Sequence, residues 1–257
     1  MQVIILAGGL GTRLKEETLH KPKALVEIGG KPIIWHIMKS YAHYGFNDFI
    51  IATGYKNKLI KEYFLKYYYN NCDLDINIKE NKVNVIEDNN LENWNVKIVH
   101  TGEDTQTGGR LKRLEKYVED DNFMATYCDG VSNVNLKKLV EYHKKHGKIG
   151  TLTAVWPPSR FGALKIDAKE TITKFAEKPK GGDGRVNGGF YTFKKDFFDY
   201  LKEDSTILER EPLTKLAEEG NLKAFIHEGF WQNMDNLKET EYLNELWNSG
   251  KAPWKTW

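Results

Sequence analysis

Apolar residues come in short blocks along this chain, and their period changes from block to block. Val3 to Leu6 is a continuous β-rich run that breaks into Gly8, Gly9 and Gly11. That is the pattern of a buried strand opening onto a loop where backbone must approach something closely. From residue 32 the period becomes helical: Pro32 at the first helical position, Ile33, Ile34, Ile37, Met38 and Tyr41 on one face, Gly45 at the end. Phe49 to Thr53 predicts a strand, and Lys58 to Tyr68 a second helix with aromatic residues on its inner face. Residues 71–95 interrupt the rhythm. Asn and Asp crowd around short runs such as Val83-Asn84-Val85, so a small hairpin or excursion is expected there. A strand at Val96–His100, a helix at Gly109–Val118 and a strand at Phe123–Tyr127 resume it. This β-α-β-α order predicts an α/β fold around a mostly parallel central sheet with right-handed crossovers.

Composition narrows the class. At 257 residues one domain, spanning 1–257, is expected, with ample chain for a core. No internal repeat, linker or composition break marks a second. The 40% apolar content is that of an ordinary globular chain. Basic residues number 38 and acidic 36, leaving a formal charge of +2 without the clustered basic excess of a nucleic-acid binder. No apolar stretch approaches a membrane span, and residues 1–6 lead straight into the glycine loop, so neither membrane nor secretory role is expected. Cys72 and Cys128 make no disulfide framework, and the cytoplasm is the expected compartment.

The candidate chemistry begins at the glycine loop. Free N–H groups in such a loop cradle phosphate oxygens, and Arg13 and Lys23 add positive charge beside it. A P-loop is excluded, because no lysine followed by Ser or Thr closes the loop. A dinucleotide fingerprint is excluded too: after Gly9 and Gly11 its third glycine is replaced by Leu14. The glycines taken alone also fit a plain strand-to-helix turn. Asp129 follows the apolar run ending at Tyr127, where a carboxylate would face the same crevice as the loop. With Gly130 it equally fits a simple turn, but a nucleoside triphosphate brings magnesium, which takes one or two protein carboxylates. Further on, Glu177-Lys178-Pro179-Lys180 and Asn187-Gly188 offer a cation for a sugar phosphate and partners for hydroxyl groups, or else a solvated charged turn. The seven histidines carry no metal spacing, and His36 reads as a packed side chain of its helix.

Leu-Ala-Gly-Gly-x-Gly-Thr-Arg-Leu (residues 6–14) with Lys21-Pro22-Lys23 resembles the opening of the sugar-1-phosphate nucleotidyltransferases. The stretch from Gly29 to His36, Thr107-Gly108-Gly109-Arg110, Phe161-Gly162-Ala163-Leu164, Glu177-Lys178-Pro179-Lys180-Gly181 and the tail from Gly250 to Trp257 resemble the glucose-1-phosphate cytidylyltransferases in particular. The similarity runs from end to end at nearly constant spacing. It implies a Rossmann-like nucleotide-diphospho-sugar transferase fold, with a nucleotide half to about residue 130 and a sugar-phosphate half, with the tail, beyond. The implied reaction joins CTP and glucose 1-phosphate into CDP-glucose and pyrophosphate with Mg²⁺, supplying deoxysugar and O-antigen precursors, in a homo-oligomer, by family a hexamer.

The resemblance also assigns residues. Leu6, Ala7, Gly8, Gly9, Leu10, Gly11 and Thr12 would lie along the nucleotide, with Arg13, Lys23, Thr105, Arg110 and Cys128. Arg13 and Lys23 would be catalytic, Lys23 stabilising the α-phosphate. Asp129 and Asp235 match the metal aspartates; Gly162, Glu177, Lys178, Asn187 and Gly188 match the sugar-phosphate side. Three departures stand out: Cys128 replaces a glycine, Ser132-Asn133 replaces a run ending in Asp, and residues 86–93 differ in length and composition. Motif chemistry alone does not exclude thymidine or uridine triphosphate, or another phosphorylated acceptor, and it leaves a non-catalytic nucleotide-binding module as a different class.

Overall fold

The computed structural model describes residues 1–11, 14–88, 91–158, 163–166, 172–176 and 184–257. Among these, seven strands form a central sheet: β1 (Val3–Ala7), β2 (Asp48–Thr53), β3 (Asn95–His100), β4 (Asn122–Tyr127), β5 (Gly150–Val155), β6 (Val186–Lys194) and β7 (Leu222–Ile226). Their order is β3-β2-β1-β4-β6-β5-β7. β1 pairs in parallel with β2 and β4, β2 with β3, and β5 with β7; β6 runs antiparallel to both its neighbours. The sheet is therefore mostly parallel, as the alternating pattern requires.

Helices cover both faces: α1 (Ile33–His43), α2 (Asn57–Asn70), α3 (Thr107–Leu114), α4 (Leu136–His146), α5 (Glu211–Glu218) and α6 (Leu237–Asn248). Successive residues of a strand point to opposite faces. Val3, Ile5 and Ala7 accordingly join one core with α1, α4 and Leu243 of α6, whereas Ile4 and Leu6 join another with Leu111 and Leu114 of α3 and Leu213 and Leu216 of α5. A strand covered on both sides needs an unbroken apolar run, and each such side chain contributes roughly 1.5–3 kcal/mol on burial.

The helical period of α1 is realised, with Ile33, Ile34, Ile37, Met38 and Tyr41 all buried. Pro32 stands one position earlier than expected, pairing with Glu27 in a two-residue ladder just before the helix. Gly45 follows the helix at a φ of 86°, where glycine is unstrained. In α2 the expected aromatic face is only half-buried: Tyr63, Phe64 and Tyr67 are partly covered, and Ile60 is the buried residue. The excursion after it is an antiparallel hairpin of Cys72–Asn77 with Lys82–Asp88. α3 ends at Leu114 and continues as a 3-10 turn, Glu115–Tyr117, short of Val118.

The C-terminal tail folds back onto α1. Trp254 is fully buried, stacked on Phe230 and Trp247 at centroid distances of 5.6 and 6.3 Å. His36 lies beneath it. Its Nε2 donates to the Ile28 carbonyl at 2.8 Å, and its Nδ1 accepts from the Trp254 indole N–H at 3.4 Å, an arrangement that needs a neutral ring. Burial lowers its pKa to about 4; burial, aided by His146 and nearby lysines, does the same for His143. Both rings are thus neutral when folded and take up a proton on unfolding. Stability is present above about pH 6.5 and falls toward pH 4, by on the order of 1.4 kcal/mol per pH unit for each ring. Urea midpoints are expected to drop between about pH 7 and about pH 4.5; an unchanged midpoint would contradict the burial.

Candidate active site

From β1 the chain builds outwards to β2 and β3, then returns to lay β4 on the other side of β1. In open α/β sheets the crevice beyond such a reversal, at the carboxyl ends of the strands, is where ligands bind. The glycine loop leaves β1 there and Cys128-Asp129 leaves β4. A cleft of about 750 Å³ opens at this point, lined by Leu6, Gly8, Gly9, Leu10, Gly11, Lys23, Thr105, Arg110, Cys128, Asp129, Asn187 and Asp235. Gly188 lines a side recess of about 40 Å³ next to Asp129. Ala7 packs in the core beneath the loop. Thr12, Arg13, Gly162, Glu177 and Lys178 lie outside the described residues.

At the cleft floor three distant residues meet. Lys23, in a buried 3-10 turn (Lys23–Leu25) behind Pro22, places Nζ 2.7 Å from Asp129 Oδ2 and 2.5 Å from Asp235 Oδ1. A short antiparallel ladder, Gly130–Ser132 with Trp231–Asn233, brings Asp235 here, and the Met234 N–H donates to the Asp129 carbonyl at 2.8 Å. Asn233 Nδ2 donates to Asp235 Oδ2 at 2.5 Å, and the Asp235 N–H donates to Glu239 at 2.6 Å. Asn236 meanwhile caps α6 by accepting from the Glu239 N–H. Burial pulls the Lys23 ammonium toward its neutral form, but the two carboxylates outweigh it and hold its pKa above the usual lysine value.

Arg110 lines the cleft but directs its hydrogens at protein. Nη1 donates to the Thr53 and Gly102 carbonyls and to Thr101 Oγ1; Nη2 donates to the Gly8 and Glu103 carbonyls. Burial, with Arg113 nearby, pulls its pKa down, yet a guanidinium stays charged at neutral pH. It ties the glycine loop to the ends of β2 and β3 and leaves a positive charge under the loop. Gly8 is required for this: a Cβ there would stand 2.2 Å from Arg110 Nη1. The guanidinium would have to shift from that Cβ and loosen its hydrogen bonds to the Thr53, Gly102 and Gly8 carbonyls. Gly8→Ala is expected to cost about 1–3 kcal/mol in urea unfolding. Gly9→Ala, whose Cβ meets nothing within 4 Å, serves as the control.

On the opposite wall, Tyr127 OH bonds to Tyr191 OH at 2.9 Å and donates to Glu209, and Asn187 Nδ2 bonds to Tyr191 OH. Glu209 also accepts from Thr107 Oγ1 at 2.8 Å, and Trp231 Nε1 donates to the Gly188 carbonyl at 2.8 Å. Tyr127, Glu209 and Trp231 line the cleft but escaped the sequence reading. Tyr127 was within reach of it, ending the strand run just before Cys128-Asp129. Glu209 had no motif to mark it.

Burial, with Asp129 beside it, pushes the Cys128 thiol up to about 12, so it stays protonated near neutral pH and serves as a small apolar wall. Among the described residues no three of His, Cys, Asp and Glu gather around one point as a metal cage. Magnesium needs no cage, since one or two carboxylates suffice when phosphates and water complete its shell. Asp129 and Asp235 fit that role: hard oxygen donors already converging on one cation, the Lys23 ammonium. Among the described residues no helix is long and apolar enough to cross a membrane.

Known proteins are similar to this chain along its length. The nucleotidyl transferase family model covers residues 2–241. The glucose-1-phosphate cytidylyltransferase of Salmonella typhi is 52% identical, covering 100% of both chains. A probable glucose-1-phosphate cytidylyltransferase of Bacillus subtilis is 42% identical, again covering 100% of both. Among solved structures, HddC from Yersinia pseudotuberculosis complexed with GMP-PN superposes with a TM-score of 0.70 at 26% identity, covering 96% of this chain and 99% of that one. With its glycine loop and carboxylate pair set at the sheet reversal, the chain belongs to the nucleotidyl transferase family and, within it, to the glucose-1-phosphate cytidylyltransferases.

Proposed function

We propose that the protein transfers the cytidylyl group of CTP to α-D-glucose 1-phosphate, giving CDP-glucose and pyrophosphate. The observation that carries this reading is the Lys23–Asp129–Asp235 cluster beside the glycine loop, in a chain so close to the cytidylyltransferases. A sugar phosphate dianion is already nucleophilic near neutral pH, so no general base is needed. Its oxygen forms a bond to the α-phosphorus of CTP while the bond from that phosphorus to the bridging oxygen breaks, and pyrophosphate leaves with the electron pair. The difficulty is to bring two polyanions together, so positioning and electrostatics carry the catalysis.

In this reading the main chain of Gly8 to Thr12 and the Arg13 side chain hold the triphosphate. Arg110 supports the loop from beneath, with Thr105 alongside. Lys23 stabilises charge at the α-phosphate, and Lys178 steers the sugar phosphate. Gly162, Glu177, Asn187 and Gly188 surround the sugar, and Glu209 with Tyr127 offers further partners for its hydroxyls. Asp129 and Asp235 would hold Mg²⁺, which when bound supplies several kcal/mol of charge stabilisation on phosphate oxygens.

Pyrophosphate release across four nucleoside triphosphates and several sugar 1-phosphates tests the reading. CTP with glucose 1-phosphate is expected to lead in kcat/KM by at least about tenfold. A different leading pair would move the protein to another nucleotidyltransferase specificity. CTP binding with no turnover for any acceptor would make it a binding module. The same proposal places the protein in the cytoplasm as one domain and as a homo-oligomer. Leu65, Ile76, Ile78, Val83 and Ile86 are exposed apolar side chains of α2 and the following hairpin, residues of the kind subunit contacts cover. Light scattering is expected to return a multiple of the 29.7 kDa chain mass.

A further inference from the structure

If a divalent cation is to sit on Asp129 and Asp235, the place is already taken. Lys23 Nζ lies at the convergence of both carboxylates, 2.7 Å from one and 2.5 Å from the other. Magnesium binds carboxylate oxygens at about 2.0–2.1 Å, so an ion bridging this pair would lie almost on the ammonium. Both Lys23 and Asp235 are buried, 8% and 7% exposed, and like charges so close repel strongly with little water to screen them. The carboxylates therefore hold one cation or the other. We infer that Lys23 is the resident counter-ion of the metal-free protein, and that a divalent cation enters by exchanging places with it.

This inference rests on the metal-dependent transfer proposed above and adds the order in which charges move. Without Lys23, two facing carboxylates, one buried and one partly exposed, would lose the cation that both of them hold. With Lys23 between them, the empty site is stable. A cation arriving alone must displace an ammonium that already holds both carboxylates, so it binds weakly. A triphosphate changes that balance. Lys23 lines the same cleft as Gly8, Gly9 and Gly11, so an ammonium released from the carboxylates moves onto phosphate oxygens. Asn233, bonded to the other oxygen of Asp235, keeps that carboxylate oriented through the exchange. Lys23 thus serves two states with one charge: it closes the empty site and assists the filled one.

The test uses Mn²⁺ as a paramagnetic probe, titrated into the whole protein without nucleotide. Lys23→Met is expected to bind one Mn²⁺ at least about tenfold more tightly than wild type, within the usual range of coupling between sites. The gain is expected to vanish in Lys23→Met/Asp235→Asn, and Lys21→Met is expected to match wild type. Equal Mn²⁺ affinity in wild type and Lys23→Met overturns the exchange, as does a gain that survives the second substitution or is matched by Lys21→Met. Thermal melting covers a poorly folding variant. Lys23→Met and Lys23→Gln are expected to melt below wild type without metal and to gain more from Mn²⁺ than wild type does. A variant that gains no more than wild type counts against the inference. Pyrophosphate release undiminished by excess EDTA would overturn the metal-dependent reading itself. EDTA-sensitive turnover with equal Mn²⁺ affinities would overturn the exchange alone.

Discussion

Asp129→Ala is expected to lower turnover at least about a hundredfold while leaving the protein folded, the scale of losing a key electrostatic group in a transfer site. The side chain is 26% exposed at the rim of the Lys23 cluster and belongs to neither core, so the fold loses little. On the reading proposed above, the chemistry loses one of two carboxylates that would hold the cation. Lys23 is then left leaning on Asp235 alone, turned from the position where both carboxylates aim it. The loss should fall on kcat more than on KM, because the glycine loop and Arg110 are untouched. Asp129→Asn, of the same shape, is expected to fail nearly as badly. Steady-state pyrophosphate release alongside circular dichroism checks both, and near-wild-type rates in a folded variant would remove Asp129 from the site.

Trp254→Ala is expected to cost about 3–5 kcal/mol, the range for truncating a fully buried large aromatic. Its ring fills the space between Phe230, Trp247 and His36, and its indole N–H is the donor that His36 Nδ1 faces. The cavity left behind has a rigid floor in α1, so it collapses poorly. A loss of that size lowers Tm by roughly 10 °C in a chain this long. Trp254→Phe, which keeps the stacking and loses the donor, should recover more than half of it. A tail variant as stable as wild type would mean that residues 250–257 merely rest on the surface.

What was legible in the sequence follows from how local each signal is. Val3–Leu6 with its glycines, and Phe123–Tyr127 with Asp129, each carry their signals within about ten residues; both strands form, and the loop and Asp129 line one cleft. Asp235 could be paired with Asp129 only through the resemblance. What joins them is a three-residue ladder and one main-chain bond, neither of which leaves a pattern in composition. Arg110 was marked by its motif, but its work under the loop depends on carbonyls from three separate segments. Glu209 sits beyond the reach of any local rule, because Tyr127 and Thr107, its partners, are 82 and 102 positions away. The half-buried face of α2 misled for a related reason: aromatic periodicity states which side is apolar, not how completely it is covered.

The spacing of the Lys23 cluster along the chain also sets when the protein becomes competent. Lys23 reaches 106 positions forward to Asp129 and 212 to Asp235. Contacts that distant form late, after the entropy of closing the intervening loops has been met. At about 5–20 residues per second of synthesis, the wait between the emergence of Lys23 and that of Asp235 is roughly 10–40 s. Throughout it the growing chain carries its glycine loop without the carboxylates that complete the cleft. Catalysis thereby becomes a reporter of finished folding, since a chain that turns over has brought its beginning, middle and end together.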